Sequence, residues 1–179
     1  MNLNINNLNP NKGQHILIDN SILDLQIKIS DVKKTDKIIE IGAGSGILTQ
    51  KLAENSHNVL TFEIDDQFKD SLSHLSKHYP NLTIKYDDAL AYNWKGYNKI
   101  VSNIPYYLSE EILIKAILSE IKELVLIVGK NFKNLLLSNE KIGIIAQKFY
   151  IITPIKEIKK ESFYPSPKTS SWLVYLKRK

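Results

Sequence analysis

Five short apolar runs, at 37–41, 59–64, 82–86, 99–102 and 124–128, punctuate the first 128 of 179 residues, and helical stretches at 48–54, 67–77 and 110–118 fall among them. A strand that is hydrophobic at consecutive positions needs cover on both faces, and helices threaded between parallel strands supply it. The pattern therefore predicts an α/β chain on an open, mainly parallel, Rossmann-like sheet. Ahead of the first run, Ile22, Leu25, Ile29 and Val32 mark a helix with Asp19 and Asn20 as candidate caps. After Val128 the rhythm changes to helices near 132–137 and 142–147, then β-rich stretches at 149–158 and 172–176 joined by a proline-bearing loop. Two late strands so joined predict an antiparallel C-terminal edge. No repeat or linker divides the chain, so residues 1–179 read as one domain, with the Asn-rich residues 1–13 expected to be mobile until a ligand orders them.

Composition narrows the chemistry. The chain has no cysteine, which excludes disulfides, thiolate nucleophiles and cysteine-ligated metals. Its longest strongly apolar run, 124–128, is far too short to span a bilayer, and the N-terminus carries no apolar core of signal-peptide length. The expectation is a cytoplasmic, monomeric protein without a membrane partner. Charge is unevenly placed. Residues 1–120 hold 12 basic and 15 acidic side chains and residues 121–179 hold 12 and 4, so the last third carries +8 and the rest −3. Such a footprint suits a polyanion, and with Arg178 the sole arginine, recognition through backbone charge and shape is expected over bidentate base reading. His74 and His78 sit four apart on an expected helix but have no third ligand near them, and read as a solvated face with no metal.

The first run ends in Glu40-Ile41-Gly42-Ala43-Gly44-Ser45-Gly46, at the carboxyl end of a strand where open α/β sheets bind ligands. A dinucleotide fingerprint would need glycine at Ile47, so the loop fits S-adenosylmethionine better, with Gly42 and Gly44 near it and Glu40 facing a ligand that carries an ammonium and a sulfonium. Glu63, ending the second run, suits a bidentate acceptor for ribose hydroxyls, and Asp87-Asp88 after the third offers a carboxylate for an adenine amine. The fourth run ends in Ser102-Asn103-Ile104-Pro105-Tyr106-Tyr107. An exocyclic adenine amine is a poor nucleophile because its lone pair is delocalised, and the Asn103 side-chain carbonyl with a backbone carbonyl near Ile104 can accept hydrogen bonds from its protons without any strong base. Tyr106 can stack on the base and meet developing positive charge. Asn103, Pro105 and Tyr106 are thus expected at the reacting base.

Gln14-His15-Ile16-Leu17, the glycine loop, Glu63-Ile64-Asp65, Asp88-Ala89, Asn103-Ile104-Pro105-Tyr106 and Phe163-Tyr164-Pro165-Ser166-Pro167-Lys168 resemble, in order, the motifs of the ribosomal RNA adenine N6-methyltransferases of the KsgA and Erm families. The resemblance implies dimethylation of adenine in ribosomal RNA with S-adenosylmethionine held by His15, Leu17, Gly42, Glu63, Asp88 and Asn103, and with Phe163 near the target base. It implies ribosomal RNA or a ribosomal subunit precursor as partner. The family's small helical C-terminal domain is not seen before the chain stops at Lys177-Arg178-Lys179. Lys130 directly follows Gly129, and Ile142-Gly143-Ile144 lacks an arginine usual in KsgA-type proteins. The small-subunit target is the expected one, with an Erm-type large-subunit target or a non-catalytic ribosome-assembly factor as alternatives. Intact Asn103 and Tyr106 speak against the last.

Overall fold

The computed structural model describes Leu8 and residues 13–179; the expectation of mobility for residues 1–13 falls almost wholly outside them. The described chain runs β1 (Ile16–Leu17), α1 (Asn20–Ser30), β2 (Lys37–Ile41), α2 (Ile47–Asn55), β3 (Asn58–Phe62), α3 (Lys69–His78), β4 (Leu82–Lys85), β5 (Lys99–Asn103) and α4 (Ser109–Leu118). It continues with β6 (Glu123–Gly129), α5 (Lys130–Leu136), α6 (Lys141–Phe149), β7 (Tyr150–Ile158), β8 (Phe163–Tyr164) and β9 (Ser171–Arg178). Seven strands form one sheet in the order β4-β3-β2-β5-β6-β9-β7. The first five are parallel, while β9 lies antiparallel to both β6 and β7, as the late strands predicted. None of the described helices is long and apolar enough to cross a membrane.

Strand pleating sends alternate residues to two cores. Ile39, Ile41, Leu60, Phe62, Ile100, Leu124 and Leu126 meet α4 and Trp94 on one face, and Ile38, Val59, Val101, Val125 and Ile127 meet residues of α1, α2 and α3 on the other. Asp19 caps α1 as expected, accepting from the Ser21 amide at 3.0 Å. The stretch expected as one helix at 67–77 begins as a 3-10 turn, Asp66–Phe68, with Asp65 capping it. A second, two-stranded sheet was not anticipated: β1 pairs antiparallel with β8, Leu17 opposite Phe163. Edge strand β7 tolerates Pro154 because its outer side needs no ladder hydrogen bond, and its register shifts between Pro154 and Lys156.

The amino-terminal edge of the sheet is pinned by a buried cation. Lys99 Nζ lies 3.1 Å from Asp36 Oδ2 and 2.9 Å from Glu123 Oε2, and donates to Ser30 O at 2.6 Å. Asp36 also accepts from the Lys33 amide and Asn98, while Tyr175 donates to the other oxygen of Glu123. Burial pulls the Asp36 carboxyl up, but the Lys33 amide, Asn98 and Lys99 outweigh it and hold it below its ordinary value. A lowered carboxylate adds stability above its unfolded pKa and loses it as pH falls through the folded value. Lys99→Met should lower the unfolding free energy in denaturant titrations by about 3–5 kcal/mol, because it leaves two carboxylates uncompensated. That deficit should shrink toward acid pH, where the stranded carboxylates take up protons.

Candidate active site

Strands β2 and β5 pair only at Ile38↔Lys99 and Ile39↔Ile100 and then part, at the point where chain order along the sheet reverses. Ser102 fills the gap their divergence leaves: its hydroxyl donates to Ile41 O at 2.6 Å and accepts from the Ile41 amide at 3.2 Å. Above it opens a cavity of about 920 Å³. Its wall includes His15, Leu17, Glu40, Gly42, Gly44, Glu63, Asp88, Asn103 and Pro105. Nine residues singled out in the sequence, from five separate segments, therefore converge.

The glycine loop turns on left-handed backbone: φ is +79° at Gly42, +51° at Gly44 and +81° at Gly46. Gly46 and Gly44 serve different ends. A Cβ on Gly46 would lie 2.5 Å from Leu75 Cδ1, so this glycine lets α3 pack against the loop, whereas a Cβ on Gly44 would meet nothing within 4 Å. Gly44 thus offers bare backbone to the cavity. Its N–H donates to Glu63 Oε2 at 2.7 Å, and Glu63 Oε1 accepts from the Ile64 and Asp65 amides at 2.9 Å each. Three of about four acceptor positions are filled, which leaves Glu63 one lone-pair site on Oε2 and corrects the expectation of a freely bidentate group. Burial raises the Glu63 carboxyl even against these three amides.

Glu40 lies opposite Thr61 across the β2–β3 ladder, and its Oε2 accepts from both Thr61 and Thr49 at 2.6 Å. Burial, offset in part by these hydroxyls, pushes its carboxyl up to about 7. Asp88 is exposed at the cavity rim, with Oδ1 capping the next turn through the Leu90 amide at 2.8 Å and Oδ2 free of hydrogen bonds among the described residues. His15 donates from Nδ1 to Pro165 O at 2.7 Å, which fixes the orientation of its ring. Gln14 bonds Asp65, and the segment around β1 is thereby tied to both the Glu63-side and the proline-loop walls.

At the end of β5, Asn103 Oδ1 is buried and has no hydrogen-bond partner among the described residues. Tyr106 is half-buried just behind: its hydroxyl is bonded to Ser171 Oγ, and a Cβ on Gly129 would come within 3.2 Å of its ring. Its other aromatic neighbour is His15, nearly parallel with ring centroids 6.3 Å apart. Burial raises the Tyr106 phenol, which stays protonated. Tyr106 is not itself in the cavity wall, although Pro105 and Tyr107 on either side are.

Phe163 departs from its expected place. It is only 3% exposed, packs in the core with Leu17 and Leu173, and does not line the cavity. The pairing of β8 with β1 turns Phe163 inward, and its neighbour Tyr164, 46% exposed, takes the surface. Ile64, read in the sequence only as part of the Glu63-Ile64-Asp65 motif, lines the cavity with 69% of its surface exposed; its position directly after Glu63 was the available signal for a role at the site. Ser171 and Gly129 bear on the site only through Tyr106, and nothing local in sequence marks them.

Comparison with known proteins bears on the family and the fold. Over 170 residues the chain is 30% identical to the probable ribosomal RNA small subunit methyltransferase A of Pyrococcus abyssi, covering 92% of this chain and 63% of that protein. A dimethyladenosine transferase from Plasmodium falciparum superposes with a TM-score of 0.86 at 30% identity, covering 92% of this chain and 64% of that one. The chain thus spans less than two thirds of the length of these relatives. The 23S rRNA methyltransferase ErmE, at 20% identity and a TM-score of 0.83 over 92% of this chain and 70% of its own, shows the shared fold. Residues 5–179 match the ribosomal RNA adenine dimethylase family, and the chain belongs to that family.

Proposed function

We propose that this chain uses S-adenosylmethionine to methylate the N6 amine of adenine in small-subunit ribosomal RNA, twice on one base. The observation that carries the reading is the unpartnered, buried Asn103 Oδ1 at the cavity. Leaving a buried acceptor unpaired costs about 1–3 kcal/mol. A substrate amine that donates to it recovers that cost on binding. Similarity to small-subunit enzymes at 30% identity supports the small-subunit target over a large-subunit one.

The residues present fit the cofactor. Gly44 leaves open space for close approach, Glu63 keeps one acceptor for a hydroxyl, Ile64 presents an apolar face, and Asp88 Oδ2 is open to an amine. When bound, S-adenosylmethionine supplies an electrophilic methyl on a sulfonium. The chain's own work is positional. Asn103 holds the adenine amine by one N–H, keeping its lone pair available, and Tyr106 acts as a fixed aromatic plate beside it rather than as a proton acceptor, since its hydroxyl is engaged by Ser171.

Calorimetry should detect binding of S-adenosylmethionine and negligible binding of NAD, and Glu63→Ala should weaken the former by about 1–3 kcal/mol. Tight NAD binding in its place would overturn the cofactor assignment. Because the Glu40 carboxyl titrates at about 7 and the ligand is cationic, affinity should rise as pH increases through that value, and Glu40→Gln should flatten the profile. In single-turnover assays on ribosomal particles at saturating S-adenosylmethionine, Asn103→Ala should cut methyl transfer by about 100-fold or more with RNA affinity nearly unchanged. Tyr106→Phe should keep substantial activity while Tyr106→Ala loses stacking of about 1–3 kcal/mol. Equal rates for the two tyrosine variants would reject the plate.

A further inference from the structure

Gln26 is fully buried on the face of α1 that packs on the sheet, at the i+4 position from Ile22, where helix periodicity calls for an apolar residue. Its Nε2 forks between two backbone carbonyls, Ser102 O and Val125 O, each 3.4 Å away. Its Oε1 has no partner among the described residues. Two long hydrogen bonds and an orphaned acceptor are a poor exchange for a solvated amide, and an unbranched apolar side chain of the same length would fill the site without the penalty. Such a breach of the local pattern is expected where function, rather than stability, selects the residue.

What the amide touches indicates its use. Ser102 O belongs to the peptide unit whose N–H is that of Asn103, and β5 has by then lost β2 as a neighbour, pairing having ended at Ile39↔Ile100. On its other side β6 stays paired with this stretch as far as Asn103↔Ile127, and two side chains add to that hold: the Ser102 hydroxyl against Ile41 from the β2 side, and Gln26 from α1. By joining Ser102 O to Val125 O through one rigid amide, Gln26 reinforces the ladder that pairs the end of β5 with β6. We propose that Gln26 is a positioning residue that fixes the plane of the 102–103 peptide, and through it the direction in which the Asn103 carbonyl faces the cavity. This rests on the function proposed above.

Gln26→Met keeps length and removes the donor. Its melting temperature should equal or exceed that of the unaltered protein, and its affinities for S-adenosylmethionine and for ribosomal particles should be unchanged. The single-turnover methylation rate should fall by about tenfold to a hundredfold, the scale of a small misplacement at a reacting centre. In ¹⁵N-labelled protein the Asn103 backbone amide resonance should move, since its peptide carbonyl has lost a hydrogen bond. A rate equal to that of the unaltered protein overturns the proposal, as does a rate loss accompanied by a lowered melting temperature in both Gln26→Met and Gln26→Leu, which would assign Gln26 to stability. The Asn103 resonance and the melting temperature are read without turnover. An unmoved resonance therefore defeats the positioning role alone, whereas an unaltered protein that methylates no adenine defeats the proposed function.

Discussion

A parallel sheet can open at one end only if it is held at the other, and the ion cluster around Lys99 does the holding. The ammonium group gathers the end of α1, the entry to β2 and the first residue of β6 around the start of β5, and Tyr175 of β9 joins through Glu123. Desolvating a lysine and two carboxylates is costly unless all are matched, and here the lysine has three oxygen partners. The cluster therefore enforces one register among elements distant in sequence. With that end fixed, β2 and β5 are free to separate two residues after their pairing begins.

At the opposite edge, backbone groups at and beyond the strand ends find their partners outside the regular ladder. Gly42 and Ala43 donate to Phe62 O, Ser102 closes on Ile41, and Glu63 gathers the amides of Gly44, Ile64 and Asp65. The carboxylate at the end of β3 is thus as much a structural cap for the loops as a ligand-facing group. Burial raises its pKa against the three amides that fill most of its acceptor positions.

The sheet, the order of its helices, the antiparallel edge and the glycine loop were legible in sequence because each is written in contiguous residues: apolar runs of strand length, caps such as Asp19, and glycines at sites of positive φ. Asn103 and Asp88 were legible because strand ends in such sheets carry ligands. What could not be read depends on pairing between distant segments. The inward turn of Phe163 follows from its register with Leu17, the locking of Tyr106 from Ser171 and Gly129, and the filling of Glu63 from a loop conformation. Gln26 sits in a helix that reads as ordinary and amphipathic, and its meaning lies wholly in which carbonyls lie beneath it.

The small sheet of β1 and β8 has a temporal consequence. His15 and Pro165, which tie the walls of the cavity together, stand 150 residues apart in the chain. At translation rates of about 5–20 residues per second, roughly 8–30 s separate the emergence of the two partners. By the end of that interval the nascent protein can have assembled the parallel strands and the glycine loop, but not the pairing of β1 with β8. A small molecule that prefers the closed cavity can stabilise only the finished fold, by mass action on its last step, and does not rescue the intermediates that precede it. Until β8 and Pro165 are made, β1 lacks its strand partner and His15 lacks its carbonyl, so this wall of the site is completed only as the chain nears its end.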